Sequence, residues 1–539
     1  MRRWNGWGDE ANQMELPPSA DEFLGALIGA AKPLVDAEFN EVLAQVPESR
    51  LAEHASIDRS PEQRLRHARG QSLPDWLAMR SGKFEFFPDG VAFPETKEQI
   101  AELVNYCYAN DIVLIPYGGG TSVAGHINPF SSEKPILTLS LGKMTRLTDL
   151  DTASQIATFG PGTPGPLVES QLRAKGYTLG HYPQSFELST VGGWVASRSS
   201  GQQSLRYGRI EQMFAGGAME TPKGRLELPT FPASSAGPDV REIVMGSEGR
   251  MGVISEVKVR VTPLSPQEDF YVYFFPSWEQ AKAAARMMVQ TKAQLSMLRL
   301  SNAIETETQL ALAGHPTQIA WLEKFLAWRG VKDGKCMMTV GVTGMPAQCR
   351  SAHSQVRRIA KSYGAVYTGN YLGKKWAAKR FKMPYLREAL WEKGYVVDTL
   401  ETSTDWSNVD VLLNQIEGNL RNGLKGEAGD ENVHVFTHLS HFYAQGSSIY
   451  TTYVFRCADT YEETLARWRK LKTTTSELIV QNGGTISHQH GVGKDHAPYL
   501  KTEKGALAMD VISGICSNLD EKSLLNPGTL IDDLPGSKS

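Results

Sequence analysis

Apolar residues recur at Ile100, Leu103, Val104 and Cys107 between positions 96 and 110, the i, i+3, i+4, i+7 stripe of an amphipathic helix. Directly after it, Ile112-Val113-Leu114-Ile115 is an unbroken apolar run closed by Pro116, which predicts a short buried strand. Further strands are predicted at 136–140, 155–159 and 252–261. This alternation of helix, strand and glycine-rich loop predicts an α+β domain over residues 86–262. Pro263 and Pro266 mark its end. Beyond them come a strand at 271–275 and a helix with Ala281, Ala284, Ala285 and Met288 on one face. Strands and longer helices then continue to about 480 as a second α+β domain. A helix at 463–481 is stopped by Asn482-Gly483-Gly484. Residues 1–85 are polar and helix-prone, with aromatic knots at Trp4-Asn5-Gly6-Trp7-Gly8 and Leu73-Pro74-Asp75-Trp76-Leu77. Residues 481–539 form a C-terminal segment.

Composition narrows the class without changing that division. The 539 residues are 41% hydrophobic and 21% charged, ordinary for a globular protein. No apolar run nears the roughly 18 residues of a membrane span. With 56 Lys+Arg against 59 Asp+Glu, the net charge of −3 gives no global attraction to nucleic acid or anionic lipid. Any membrane contact is therefore expected to be peripheral. Five cysteines, an odd number without a CxxC pair, argue against a disulfide framework or a thiolate zinc site. The first residues lack the apolar core of a secretion signal, so a cytoplasmic protein is expected.

Candidate chemistry lies in the glycine clusters. Pro116-Tyr117-Gly118-Gly119-Gly120-Thr121-Ser122 follows a predicted strand. Successive amides free of Cβ atoms can converge there on a pyrophosphate, with Thr121 and Ser122 adding hydroxyls. The alternative is a tight turn. The run matches neither GxGxxG nor GxxxxGKS, which disfavours a nicotinamide site and a Walker loop. Two later segments are similarly rich in small residues. One leads from Pro183 and Ser185 through Ser189, Thr190 and Gly193 to Ser197, Arg198 and Ser200. The other holds Glu248, Gly249, Gly252, Val253 and Ile254. Together the three could line one long cofactor.

PxGGGTS, STVGGWVASRSSG and MGSEGxxGVI, in that order, resemble the flavin-binding domain of the vanillyl-alcohol-oxidase superfamily. Within it the chain is most similar to the alkylglycerone-phosphate synthase family, through the Trp4–Gly8 knot and Ser487-His488-Gln489-His490-Gly491-Val492-Gly493-Lys494. The resemblance implies FAD held without a covalent bond in a two-lobed domain, under an α+β cap of about 263–480. It also implies that the His488 loop returns to the flavin.

Alternate residues of an extended segment point the same way, so His488 and His490 are expected to face one cavity. Histidine is the natural proton carrier near neutral pH; the alternatives are a surface pair in a glycine turn or two satisfied buried rings. The family has three histidines here, and Gln489, which cannot exchange a proton at neutral pH, stands at the middle one. Tyr450 matches the family's active-site tyrosine; its alternative is a core aromatic in a β-prone run with Tyr453. Arg387 matches a phosphate-holding arginine; its alternative is a solvated helix charge. A second family arginine, just before Gly237-Pro238-Asp239, has no counterpart in Pro232-Ala233-Ser234-Ser235-Ala236. His434, His438 and His441 would share a helix face and could bind a metal, but Val435, Phe436 and Thr437 favour a strand, which would turn His441 away. No metal is expected.

The family reaction exchanges the acyl chain of acyl-dihydroxyacetone phosphate for a long-chain alcohol, with no net redox change. The competing expectation is an FAD-linked oxidase or dehydrogenase of a 2-hydroxy acid or alcohol. Its metal-binding HxGDGNxH run is missing, since the region reads Thr437-His438-Leu439-Ser440-His441. A flavoprotein used only for binding is the third. The expected partner is a small lipid-like or hydroxy-acid substrate, with a homodimer as a further possibility.

Overall fold

The computed structural model describes residues 2–313, 316–426 and 430–534. Its described residues form three larger sheets and a two-stranded pair, Tyr177–Thr178 with Thr262–Pro263, in a mixed α+β architecture. The first has four strands, in the order Ile57–Asp58, Gly90–Ala92, Ile136–Ser140, Val113–Tyr117. Its inner strand Ile136–Ser140 pairs in parallel on both sides and is buried at every position. That burial explains why its sequence shows no alternation. The amphipathic helix predicted from Ile100 and Cys107 runs Lys97–Ala109 and lays its stripe on this sheet.

The second sheet is antiparallel, ordered Leu147–Asp151, Ile156–Phe159, Val253–Arg260, Phe214–Thr221, Gly224–Leu228. The third is a seven-stranded antiparallel sheet, ordered Val366–Tyr367, Gln267–Phe275, Cys336–Gly344, Met297–Ser301, His434–Leu439, Gly446–Arg456, Tyr395–Asp405. Four helices, Trp278–Gln290, Pro346–Ser362, Val409–Asn422 and Tyr461–Gln481, cover one face of it. Ala284, Ala352, Ile416 and Leu471 there meet Tyr273, Phe275, Tyr453 and Phe455 in one core. Because strand side chains alternate, the intervening positions Arg299, His438, Tyr450 and Thr452 point to the other face, where the cavity lies. Among the described residues no helix is long and apolar enough to cross a membrane.

The N-terminal knot is anchored across the molecule. Trp7 N donates to Glu388 Oε1 at 3.1 Å, and Gln71 Nε2 donates to Gly6 O at 3.2 Å. Arg80, buried, pairs with both Asp36 and Glu388. Removing one partner of such a buried pair leaves an uncompensated charge, which typically costs about 3–5 kcal/mol. Arg80→Ala is therefore expected to lower the unfolding free energy of the FAD-saturated protein, read from urea titration, by an amount of that order; an unchanged midpoint refutes the anchor.

Candidate active site

A cavity of about 410 Å³ lies between the glycine loops and the open face of the seven-stranded sheet. Nearly all the cofactor residues expected from sequence line it: Pro116 to Ser122, Pro183, Ser185, Ser189, Thr190, Gly193, Ser197, Ser200, Glu248, Gly249, Gly252 and Ile254. Two do not. Arg198 turns outward to Glu211 and Glu242, because it caps its helix in the left-handed conformation. Val253 is wholly buried in the core under the first sheet, since the alternation that brings Ile254 to the cavity sends its neighbour away.

The first loop has the free donors an anion would need. Among the described residues, the amides of Gly118, Gly119, Gly120, Thr121 and Ser122 find no acceptor within the chain. The loop also has no room for side chains, because it packs directly on the second loop. A Cβ on Gly119 would sit 1.9 Å from Leu188 O, and one on Gly118 2.5 Å from Thr190 Oγ1. Gly120 adopts φ +69°. Buried polar atoms on cavity residues are also unpartnered, namely Gln202 Oε1, Asn526 Oδ1 and Glu305 Oε2. Free amides, a Cβ-free wall and waiting polar atoms fit a flavin dinucleotide. The glycines act differently from the sequence expectation: they let two loops touch, rather than only letting a ligand approach.

The third loop ties this wall to the histidine loop. Glu248 Oε1 and Oε2 accept from Val492 N at 2.6 Å and Gly493 N at 2.8 Å. Gln489 and His490 consequently line the cavity. His488 does not, contrary to expectation, because the segment is a turn rather than a strand. Its ring lies behind the wall, with Nε2 2.6 Å from the Tyr443 hydroxyl and 3.2 Å from Arg209 Nη1, and Nδ1 3.1 Å from Glu401 Oε1.

Across the cavity, strand register assembles one row from distant sequence. Glu401 pairs with Tyr450, and Tyr450 with His438. Tyr450 stacks on His438 at 4.7 Å, meets His490 edge-on at 6.0 Å, and donates to Thr399 Oγ1 at 3.3 Å. Tyr453, three residues on, faces the core and is 0% exposed. Burial, then Glu401, pushes the Tyr450 phenol up to about 12, so it stays a donor at neutral pH. Burial likewise lowers His490, with Glu401 opposing it. Arg387 lines the cavity too, but its Nη2 pairs with Asp398 at 3.0 Å, its Nη1 donates to Gln71 O at 2.7 Å, and it lies 5.1 Å over Trp76. It is a positioned cation, not a solvated one.

Sequence reasoning missed several cavity residues. Trp7 and Trp76, from the two aromatic knots, both line it. So does Arg299, which pairs with Glu305 at 2.7 Å. Burial pushes Glu305 up, but His438 and Arg299 outweigh it and hold the carboxyl at about 2. His438 is itself lowered by burial, so Arg299 is the charge that counts at neutral pH.

The segment with His434 forms the strand His434–Leu439, as its β-branched residues suggested. His441 is not turned away, however. The strand ends before it, and the ring lines the cavity with Nδ1 3.1 Å from Ser200 Oγ. Glu401, His441 and His488 come close enough to hold a metal. The hydrogen bonds favour another reading. Arg209 can only donate, so His488 Nε2 must accept and Nδ1 carries the proton, which leaves that ring no lone pair for an ion.

His441 and His488 lie well below the ordinary histidine pKa, chiefly through burial, and burial holds His181 at about 3. The unfolded chain takes up these protons first, near pH 6.5, so their contribution to stability is complete above that pH and is lost on acidification. Thermal midpoints of the FAD-saturated protein are expected to fall from pH 7.5 to pH 5.5; a flat profile contradicts neutral buried rings.

Residues 88–228 match the family described as FAD binding domain, and residues 265–530 match FAD linked oxidases, C-terminal domain. The chain is 30% identical over 477 residues to alkyldihydroxyacetonephosphate synthase of Dictyostelium discoideum, covering 87% of this chain and 77% of that protein. It is 29% identical over 486 residues to the enzyme of that name from Trypanosoma brucei brucei, covering 88% and 78%. A solved alkyldihydroxyacetonephosphate synthase superposes with a TM-score of 0.83 at 25% identity, covering 98% of both chains.

Proposed function

Because the chain belongs to the alkyldihydroxyacetonephosphate synthase family, we propose that it is an FAD-dependent enzyme of ether-lipid synthesis, replacing the acyl chain of acyl-dihydroxyacetone phosphate by a fatty alcohol. The observation that carries this reading is the single cavity joining the glycine wall to Arg387, Tyr450 and His490, with Val397, Leu386 and Phe436 as apolar lining. The glycine loops would hold FAD, which would supply isoalloxazine nitrogen chemistry for an exchange without net redox change.

Replacing an ester acyloxy group by an alcohol releases a carboxylate and one proton, so the site needs a proton acceptor for the entering hydroxyl. His490 fits, because burial keeps it neutral and it faces the cavity. It takes over from the position held by Gln489, which also lines the cavity but carries no exchangeable proton at neutral pH. The Tyr450 hydroxyl donates to a substrate oxygen. Arg387 grips the phosphate with the donors that Asp398 and Gln71 leave free. The apolar cap residues take the alkyl chains and exclude water.

The test is an assay with palmitoyl-dihydroxyacetone phosphate and labelled hexadecanol. Formation of labelled alkyl-dihydroxyacetone phosphate is expected. Absence of that product, with anaerobic bleaching of the flavin by a 2-hydroxy acid instead, overturns the proposal. A companion prediction concerns Arg387→Ala, which should weaken phosphorylated substrates by about tenfold or more, since a charge-assisted contact is worth ~1.5–3 kcal/mol, and leave unphosphorylated analogues nearly unaffected. Equal losses for both assign the arginine to structure.

A further inference from the structure

Among the described residues, Glu401 is the one carboxylate that reaches both histidines of the loop. Its side chain is 0% exposed. Oε1 lies 3.1 Å from His488 Nδ1, and Oε2 lies 3.6 Å from His490 Nε2 with no hydrogen-bond partner of its own. Behind His488, Arg209 Nη1 sits 3.2 Å from Nε2, and Nη2 donates to His488 O at 3.0 Å. A guanidinium offers only N–H groups, so this contact forces His488 Nδ1 to hold the proton and donate it to Glu401. The carboxylate is thus pinned by one oxygen, and its other, unpartnered oxygen lies 3.6 Å from His490 Nε2, just outside hydrogen-bond distance. An anion there draws the proton of neutral His490 to Nε2 and leaves Nδ1 with the free lone pair. Among the described residues His490 Nδ1 has no partner in the chain. The loop is fixed by separate contacts, since Thr402 Oγ1 donates to Thr485 O at 2.7 Å and Ile486 N donates to Glu503 Oε2 at 2.6 Å.

We propose that Glu401, oriented by His488 and Arg209, is a positioning residue that holds His490 as the Nε2–H tautomer and makes Nδ1 the proton acceptor of the site. This rests on the reading of His490 as proton carrier and adds how the carrier is set. The carboxylate also stabilises the imidazolium formed when His490 takes up a proton, as the aspartate of a hydrolytic triad does for its histidine. The titratable and charged groups facing Glu401 are Tyr450, His438 and His441 from the sheet side, Tyr443, and the two loop histidines, with Arg209 behind. Lys472 and Asp398 act on His490 with opposite signs. Of all these, Glu401 is the strongest influence favouring the charged form of His490.

The test combines two measurements on FAD-loaded enzyme. In nitrogen-15 spectra of histidine-labelled wild type, assigned with His488→Gln and His490→Gln, His488 should be the Nδ1–H and His490 the Nε2–H tautomer. Glu401→Gln keeps the shape and removes the charge. It should retain its flavin and its KM and lose about 10²-fold in kcat. The acid limb of its kcat profile should move to lower pH, because the imidazolium has lost its stabilising anion. A wild-type His490 carrying its proton on Nδ1 overturns the proposal, whether or not the variant folds. So does a flavin-loaded Glu401→Gln enzyme with unchanged kcat and limb, or a stoichiometric metal ion removed only by Glu401→Gln or His441→Ala. If His490→Gln is itself fully active, the proton-carrier reading fails. If His490→Gln is inactive and Glu401→Gln is not, only the positioning role of Glu401 fails.

Discussion

Gly119→Val should purify as a colourless protein. A Cβ at this position would stand 1.9 Å from Leu188 O and 3.1 Å from Ser189 Cα, both backbone atoms that no rotamer change can move. The valine must push the two loops apart, and the pushed loop carries the free amides of Gly118 to Ser122. Among the described residues those amides have no acceptor to hold them in place, so their convergence depends on the wall they lean against. The loss expected is most of the bound flavin, read as visible absorbance per mole of purified chain, with refolding in excess FAD as a second chance to bind. Gly418→Ala is the control. It lies in the helix Val409–Asn422, and its added Cβ meets nothing within 4 Å. A yellow Gly119→Val protein with full flavin content would sink the assignment of this loop.

His490→Ala should cost about 10²–10⁴-fold in kcat while keeping the flavin, the range typical of a lost general acid–base group. The ring contributes nothing to the glycine wall. Its neighbours are Glu401 at 3.6 Å and the edge of Tyr450 at 6.0 Å. Tyr450→Phe should cost less, about tenfold, because it deletes one neutral hydrogen bond and keeps the ring stacked on His438. If His490→Ala kept wild-type turnover, the proton would have to leave by another route, and the role of Gln489 beside it would need a different account.

The two aromatic knots show one limit of reading the chain in order. Their composition set them apart, yet nothing local indicated that Trp7 and Trp76 would line the cavity. That follows from Glu388, hundreds of residues away, accepting the Trp7 amide and pairing with Arg80. His488 shows another. The extended-segment rule placed it beside His490, but a turn whose amides are clamped by Glu248 does not keep period two. The family resemblance implies the phosphate role of Arg387, while its pairing with Asp398, which sets it apart from a solvated helix charge, leaves no sign in the sequence.

What the sequence determined by itself is local. β-branched runs that favour strands and stripes that favour helix faces are fixed by sterics and burial within a few residues, whereas the collisions that forbid a side chain at Gly118 and Gly119 come from a second loop about seventy residues on. The runs and stripes give the class of fold. Tertiary structure alone decided which side chains act together. Glu401, Tyr450 and His438 become neighbours through strand register. Arg209 reaches His488 from the other side of the wall. Charge and proton position depend on distance in space and on the water each group has lost. Both are set by packing between segments whose separation along the chain carries no trace of it.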